Sequence, residues 1–214
     1  MPEIIIYHMI AIIDYGMGNL RSVEKGFLKV GADVRVTNKP EDVLKADGIV
    51  LPGVGAFRDC MGELTNLNLI NAVVDSIKQG KPYLGICLGL QILFSESDEF
   101  GKCNGLDILK GRVIRFDLEN KELKIPQMGW NQLNIKKDNP LFEGVPDKSY
   151  FYFVHSYYVA PDDSSVIATT TDYGIEFTSS VWKDNIYAVQ FHPEKSQNLG
   201  LQVLRNFGNI VNGA

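Results

Sequence analysis

From Met9 onward, short apolar runs rich in β-branched residues alternate with segments whose apolar positions recur every three or four residues. That alternation predicts an α/β domain on a largely parallel sheet. Residues 10–13, 33–37, 48–51 and 82–86 read as the first four strands. Between the first two, Leu20, Val23, Phe27 and Val30 form a helical stripe, with Asn19 placed to cap it and Gly31 to stop it. Residues 57–64 and 69–79 read as further helices, and 90–94 as a helix following the fourth strand. The second half differs: strand-like runs at 111–116, 149–154, 165–170, 177–182 and 186–190 have few helices between them, and Leu201, Leu204, Phe207 and Ile210 mark a closing helix. The expected fold is a doubly wound, mostly parallel sheet with an added antiparallel or mixed strand extension. It forms a single domain over residues 9–214, with 1–8 as an N-terminal appendage or Met9 as an alternative start.

A chain of 214 residues, 45% apolar, can bury a sizeable core without staples. Disulfide scaffolds, collagen and disorder are excluded on composition. Lys+Arg 21 against Asp+Glu 26 leaves a net charge of −5, which invites neither nucleic acid nor an anionic membrane. The apolar stretches at 4–7 and 10–13 are broken by His8, lack a preceding positive charge and fall short of a membrane span. With Cys60, Cys87 and Cys103 forming no C-x-x-C pair, the expected location is cytoplasmic.

The sharpest local chemistry is Gly85-Ile86-Cys87-Leu88-Gly89 between a strand and a helical run. It is a nucleophile elbow with Cys in place of Ser. A buried cysteine at a close-packed turn would give the same five residues, so a base has to decide. His192-Pro193-Glu194 follows the strand at 186–190. In extended chain, residues 192 and 194 project to one side, which lets Glu194 orient a His192 that takes the thiol proton. One expected donor for the tetrahedral oxyanion is the N–H of Leu88, and the loop Gly53-Val54-Gly55 offers a second in the N–H of Val54, although the same residues also fit a plain β-to-α turn.

Two other patterns fail. Gly16-Met17-Gly18-Asn19-Leu20-Arg21 follows the first strand as a dinucleotide fingerprint would, but Arg21 stands where the third glycine belongs, and Thr37-Asn38-Lys39 lacks the ribose-binding acid. His8, His155 and His192 have no partners at ligand spacing. No cofactor and no metal are expected.

Gly85-Ile86-Cys87-Leu88-Gly89-Leu90-Gln91 together with His192-Pro193-Glu194-Lys195-Ser196 resembles the class I, or triad, glutamine amidotransferases. Four further stretches are similar to one branch, the glutaminase subunits of imidazole glycerol phosphate synthases. They are Asp14 to Leu20, Pro52 to Phe57, Pro126-Gln127-Met128-Gly129-Trp130-Asn131, and Phe153-Val154-His155-Ser156-Tyr157. The resemblance runs from Met9 to the C-terminus and implies a flavodoxin-like fold and L-glutamine hydrolysis through a thioester on Cys87. It also implies glutamine binding by Gly53, Gly55, Gln91, His155, Ser156 and Tyr157, although the His155 ring, inside an aromatic strand, also fits a structural role.

Free ammonia is protonated in bulk water near neutral pH, so an acceptor site has to be close. The chain offers no second constellation to house it. The resemblance implies a heterodimer whose other member is a (β/α)8-barrel cyclase subunit, producing imidazole glycerol phosphate for histidine synthesis and an aminoimidazole carboxamide ribonucleotide. Asn19, Met128, Trp130 and Lys195 are the expected contacts. Two alternatives stay open, because a triad fixes chemistry and leaves the acceptor unspecified: the glutaminase of another ammonia-using synthase, and an autonomous cysteine amidase. A non-catalytic flavodoxin-like module is a third class, against which the intact Cys87, His192 and Glu194 speak.

Overall fold

The computed structural model describes residues 8–119 and 122–213, so the proposed appendage lies outside them apart from His8, whose ring pairs with Asp47 at 3.5 Å. The first half runs β1 (Ile10–Ile13), α1 (Leu20–Lys29), β2 (Val34–Thr37), α2 (Pro40–Lys45), β3 (Gly48–Gly53), α3 (Phe57–Asn66), α4 (Leu69–Lys78), β4 (Tyr83–Cys87) and α5 (Leu88–Gln91). The second runs β5 (Phe94–Ser97), β6 (Cys103–Asn104), β7 (Leu109–Arg115), β8 (Gln127–Gln132), β9 (Asn134–Ile135), β10 (Tyr150–His155), β11 (Tyr157–Pro161), β12 (Ile167–Asp172), β13 (Glu176–Lys183), β14 (Ile186–Val189) and α6 (Gln197–Val211).

Strands β2-β1-β3-β4-β14 lie side by side and parallel, the strand order of a flavodoxin-like sheet. Their near-continuous apolar sequences follow from burial on both faces. Alternate residues feed two cores. Ile10, Ile12, Val50, Leu84, Ile86 and Val189 pack on one side with Val23 and Phe27 of α1 and Leu204 and Phe207 of α6. On the other side Ile49, Leu51, Tyr83 and Ala188 meet Val43, Phe57, Leu64, Val73 and Ile77 of α2, α3 and α4.

Beyond β14 the sheet continues antiparallel through β13, β11 and β7, with β5 parallel to β7 and β6 at the edge. β12 and β9 extend from β13. β8 and β10 form a separate antiparallel ribbon. The expected parallel core and mixed extension are both present.

The details that differ have local causes. α2 is not among the expected helices, because it is six residues long with Val43 its only buried position, too short for a helical period to show. The helix expected over 90–94 is the single turn α5, and Phe94 opens β5. Ile92, Leu93 and Phe94 are all fully buried, and an apolar run enclosed on every side carries no period. Asn19 begins α1 through its main chain, its carbonyl accepting from Ser22 and Val23 at 3.0 and 3.2 Å, while its side chain makes no capping bond. In α6 the buried face is Val203, Leu204, Phe207 and Val211, with Leu201 and Ile210 at its half-buried margins.

Candidate active site

The C-terminal ends of β3, β4 and β14 bring the chemistry together. Gly53 is in register with Cys87, and Ile86 with Val189, so the loop after β3, the elbow and the segment leading to His192 leave the sheet side by side. They border a cavity of about 360 Å³ lined by Val54, Gly55, Cys87, Leu88, Gln91, Glu99, Pro126, Val154, His155, Ser156, Tyr157 and His192.

Cys87 has φ +55° and ψ −104°, a conformation that costs a non-glycine residue on the order of 1–3 kcal/mol and persists only where the surroundings enforce it. Here they do. A Cβ on Gly85 would stand 2.4 Å from the Gly89 carbonyl oxygen, and one on Gly89 would stand 1.8 Å from that of Leu51. The Tyr83 hydroxyl, buried beneath, donates to the Gly89 carbonyl at 2.8 Å. The glycines therefore permit the close crossing of α5 over β3 and β4 that aims the sulfur outward. Leu88, the first residue of α5, contributes one of the helix-start N–H groups that lack an intrahelical partner.

His192 and Glu194 are both buried, with Nδ1 2.9 Å from Glu194 Oε1. The expected contact is present, but its geometric reason differs. Pro193–Lys195 is a turn of 3-10 helix rather than extended chain, and it folds Glu194 back onto the ring. His192 is anchored at its backbone: its N–H donates to the Tyr152 carbonyl at 2.9 Å, and its own carbonyl accepts from the Ser196 hydroxyl at 2.7 Å. Burial by itself pulls the imidazole pKa down. The facing Cys87 sulfur and the Glu194 carboxylate outweigh it and raise the pKa to about 10. With Nδ1 committed to Glu194, Nε2 is the ring atom left for the sulfur and for substrate.

The other expected glutamine-binding residues converge less uniformly. Gln91, Ser156 and Tyr157 line the cavity. Gly55 does too, with φ +93°. Gly53 sits underneath, where a Cβ would meet the Tyr15 hydroxyl at 2.4 Å and Leu88 Cβ at 2.8 Å. His155 reaches the cavity wall, but its ring packs against Phe116, Phe153 and Phe177 and its Nδ1 lies 2.8 Å from the Tyr157 carbonyl. Burial pushes its pKa down to about 4, so it is a neutral aromatic-core residue near neutral pH.

Met128 and Trp130 are 64% and 45% exposed on β8, and Trp130 and Lys195 both lie against Tyr152. Met128, Trp130 and Lys195 therefore share a surface beside the base, while Asn19 stands at the start of α1, partly exposed.

Two residues that sequence reasoning missed belong to the site. Glu99 brings a carboxylate to the cavity wall, held by the Phe57 N–H at 2.7 Å. It lies in the loop after β5, where no spacing singles it out. Gln190 is fully buried and donates from Nε2 to Cys87 Sγ at 3.6 Å. The strand register would have pointed to it, since it stands one step past Val189.

The family model described as glutamine amidotransferase class-I matches residues 11–210. A protein of Syntrophotalea carbinolica named imidazole glycerol phosphate synthase subunit HisH is 56% identical over 206 residues, covering 94% of this chain and 100% of that protein. The like-named protein of Methanothermobacter thermautotrophicus is 55% identical over 203 residues, covering 95% and 99%. Among solved structures, a glutamine amidotransferase superposes with TM-score 0.73 at 16% identity over 95% of this chain and 99% of that one. The PurLQS structure of Thermotoga maritima gives 0.71 at 18%, over 97% and 99%, and both confirm the fold. With a family model spanning nearly its whole length and relatives of this identity, the chain belongs to the class-I glutamine amidotransferases.

Proposed function

We propose that this chain is the glutaminase subunit of an imidazole glycerol phosphate synthase. It hydrolyses L-glutamine and passes the ammonia to a (β/α)8-barrel cyclase subunit, with residues 9–214 acting as one amidotransferase unit. One arrangement carries this reading: a cysteine held at positive φ faces a histidine backed by a buried carboxylate, across a cavity large enough for one amino acid. Relatives more than half identical along nearly their full length carry the synthase name.

The Cys87 thiolate attacks the side-chain carboxamide carbon. The N–H groups of Leu88 and Val54 receive the oxyanion, and His192 gives its Nε2 proton to the departing nitrogen, which leaves as ammonia. The thioester is then hydrolysed by a water whose proton His192 takes, while Glu194 holds the ring and balances its positive charge. Glu99 faces the α-ammonium group of the substrate, with Gln91, Ser156 and Tyr157 as polar contacts for the rest of its amino-acid end. Ammonia leaves towards the surface of Met128, Trp130, Lys195 and Asn19, on which the cyclase docks. No helix among the described residues is long and apolar enough to cross a membrane.

Incubation with a glutamine-analogue diazoketone followed by peptide mass mapping tests the assignment. Alkylation at Cys87 is expected. Labelling confined to Cys60 or Cys103 would overturn it.

A further inference from the structure

Gln190 completes a row across three strand ends. Gly53 pairs with Cys87 and Ile86 with Val189, so one step further sets Gln190 beside the nucleophile. Its Oε1 accepts from Gln91 Nε2 at 3.0 Å, and the same Gln91 nitrogen donates to the Tyr157 carbonyl at 3.0 Å. A carbonyl oxygen can only accept, so Tyr157 fixes which end of the Gln91 amide faces it. That NH₂ group then requires an oxygen from Gln190, which turns the Gln190 NH₂ towards the sulfur. One backbone carbonyl thus determines both amide orientations.

We infer that Gln190 is a further working residue of this site: its amide N–H donates to the Cys87 thiolate and, through Gln91, ties the nucleophile to the substrate cavity. The inference rests on Cys87 being the nucleophile. A hydrogen bond to the charged form favours that form, so a donor at the sulfur favours thiolate over thiol. When water attacks the thioester carbon, the C–S bond breaks and its electron pair returns to Sγ, while His192 holds the proton lost by the water. The same N–H meets the charge reappearing on sulfur. His192 backed by Glu194 faces the sulfur, Tyr15 lies under the adjoining loop, and Glu99 and His155 border the same cavity. Gln190 differs from all of these in not titrating, so it acts equally at every pH.

The test is the pH dependence of Cys87 alkylation by iodoacetamide in the full chain, read by peptide mass mapping for wild type, Gln190→Met and Gln190→Glu. Met keeps the buried volume and removes the donor, while Glu sets an acceptor against the sulfur. The alkylation midpoint is expected to rise by about one pH unit or more in Gln190→Met and further in Gln190→Glu, with the wild-type rate recovered at high pH. Glutamine turnover with the cyclase subunit should fall about tenfold or more in both. A Gln190→Met chain that unfolds at the wild-type temperature and shows an unshifted midpoint would overturn the inference, even with a raised KM, which would mean that Gln190 serves only to hold Gln91. Absence of Cys87 labelling in the wild type would instead refute the nucleophile itself.

Discussion

Cys87 and Val54 stand at the ends of neighbouring strands, with Gly53 in register with Cys87, yet the chain treats the two ends differently. At the elbow every neighbour is fixed: Gly85 and Gly89 leave no room for a Cβ, Tyr83 holds the Gly89 carbonyl, and Cys87 is 7% exposed. In the loop, Val54 is 37% exposed and lies between Gly53 and Gly55, the latter at φ +93°. The proposed nucleophile is therefore preset, whereas the proposed oxyanion peptide lies between two glycines, which permit either its N–H or its carbonyl to face the cavity. Under the proposed function, docking of the ligand-loaded cyclase favours the N–H state, so glutamine is hydrolysed when an acceptor is present.

The largest effects should come from the preset side. Cys87→Ser should lower glutaminase turnover by about four orders of magnitude or more, with the unfolding temperature unchanged because the volume change is small. His192→Ala should follow closely. Glu194→Gln should cost less than His192→Ala, since it orients the base without touching substrate. Steady-state ammonia release measures all three, and near wild-type turnover in His192→Ala would break the triad.

The two site histidines give the next largest effect, on stability. His155 is held down at about 4 by burial. Between that value and the unfolded value near 6.5 the unfolded chain binds the extra proton, so its contribution is complete above pH 6.5 and lost as pH falls towards 4, on the order of 3 kcal/mol. His192, raised to about 10, has the opposite sign: its contribution is complete below 6.5 and lost as pH rises through 10. Denaturant unfolding across this range should therefore show a maximum near pH 6.5, and His155→Phe should flatten the acid limb alone.

How much of this was legible follows from how local each determinant is. The parallel strands stand out as short apolar runs bounded by turn residues, α1, α3 and α4 by their helical spacing, and the elbow and His192-Pro193-Glu194 are contiguous motifs, so all of these could be read from the residues alone. Gln190 and Glu99 could not. Their roles arise from strand register and from a loop reaching across 42 residues to Phe57. The spacing predicts the Glu194 contact on an extended chain that is in fact a 3-10 turn, and the fold reaches the same pairing because a tight turn also returns residue 194 over 192.

The movable side should respond to partners rather than to side-chain deletion. Glutaminase turnover should be low for the chain alone, and at least about tenfold higher with the cyclase subunit carrying a substrate-like ligand, equivalent to roughly 1.4 kcal/mol of coupling. Trp130→Ala should reduce that rise without changing the basal rate. Full activity of the isolated chain would erase the difference between elbow and loop.

The smallest effect separates two buried tyrosines, one under each arm. Tyr83 Oη donates to the Gly89 carbonyl at 2.8 Å, whereas Tyr15 Oη has no oxygen or nitrogen partner among the described residues and faces the Cys60 thiol. Burial pushes that thiol up to about 12, which keeps Cys60 neutral and makes it a weak partner. Tyr83→Phe leaves a buried carbonyl short of its donor and should cost about 1–3 kcal/mol, a fall in unfolding temperature of roughly 2–4 °C per kcal/mol for a chain of this size. Tyr15→Phe removes a hydroxyl that is already poorly matched, so it should leave the unfolding temperature unchanged or raise it. Thermal unfolding of the two variants side by side reads the contrast directly. Equal losses in both would mean that the loop is braced from below as firmly as the elbow, and the distinction between a preset nucleophile and a movable oxyanion peptide would have to be abandoned.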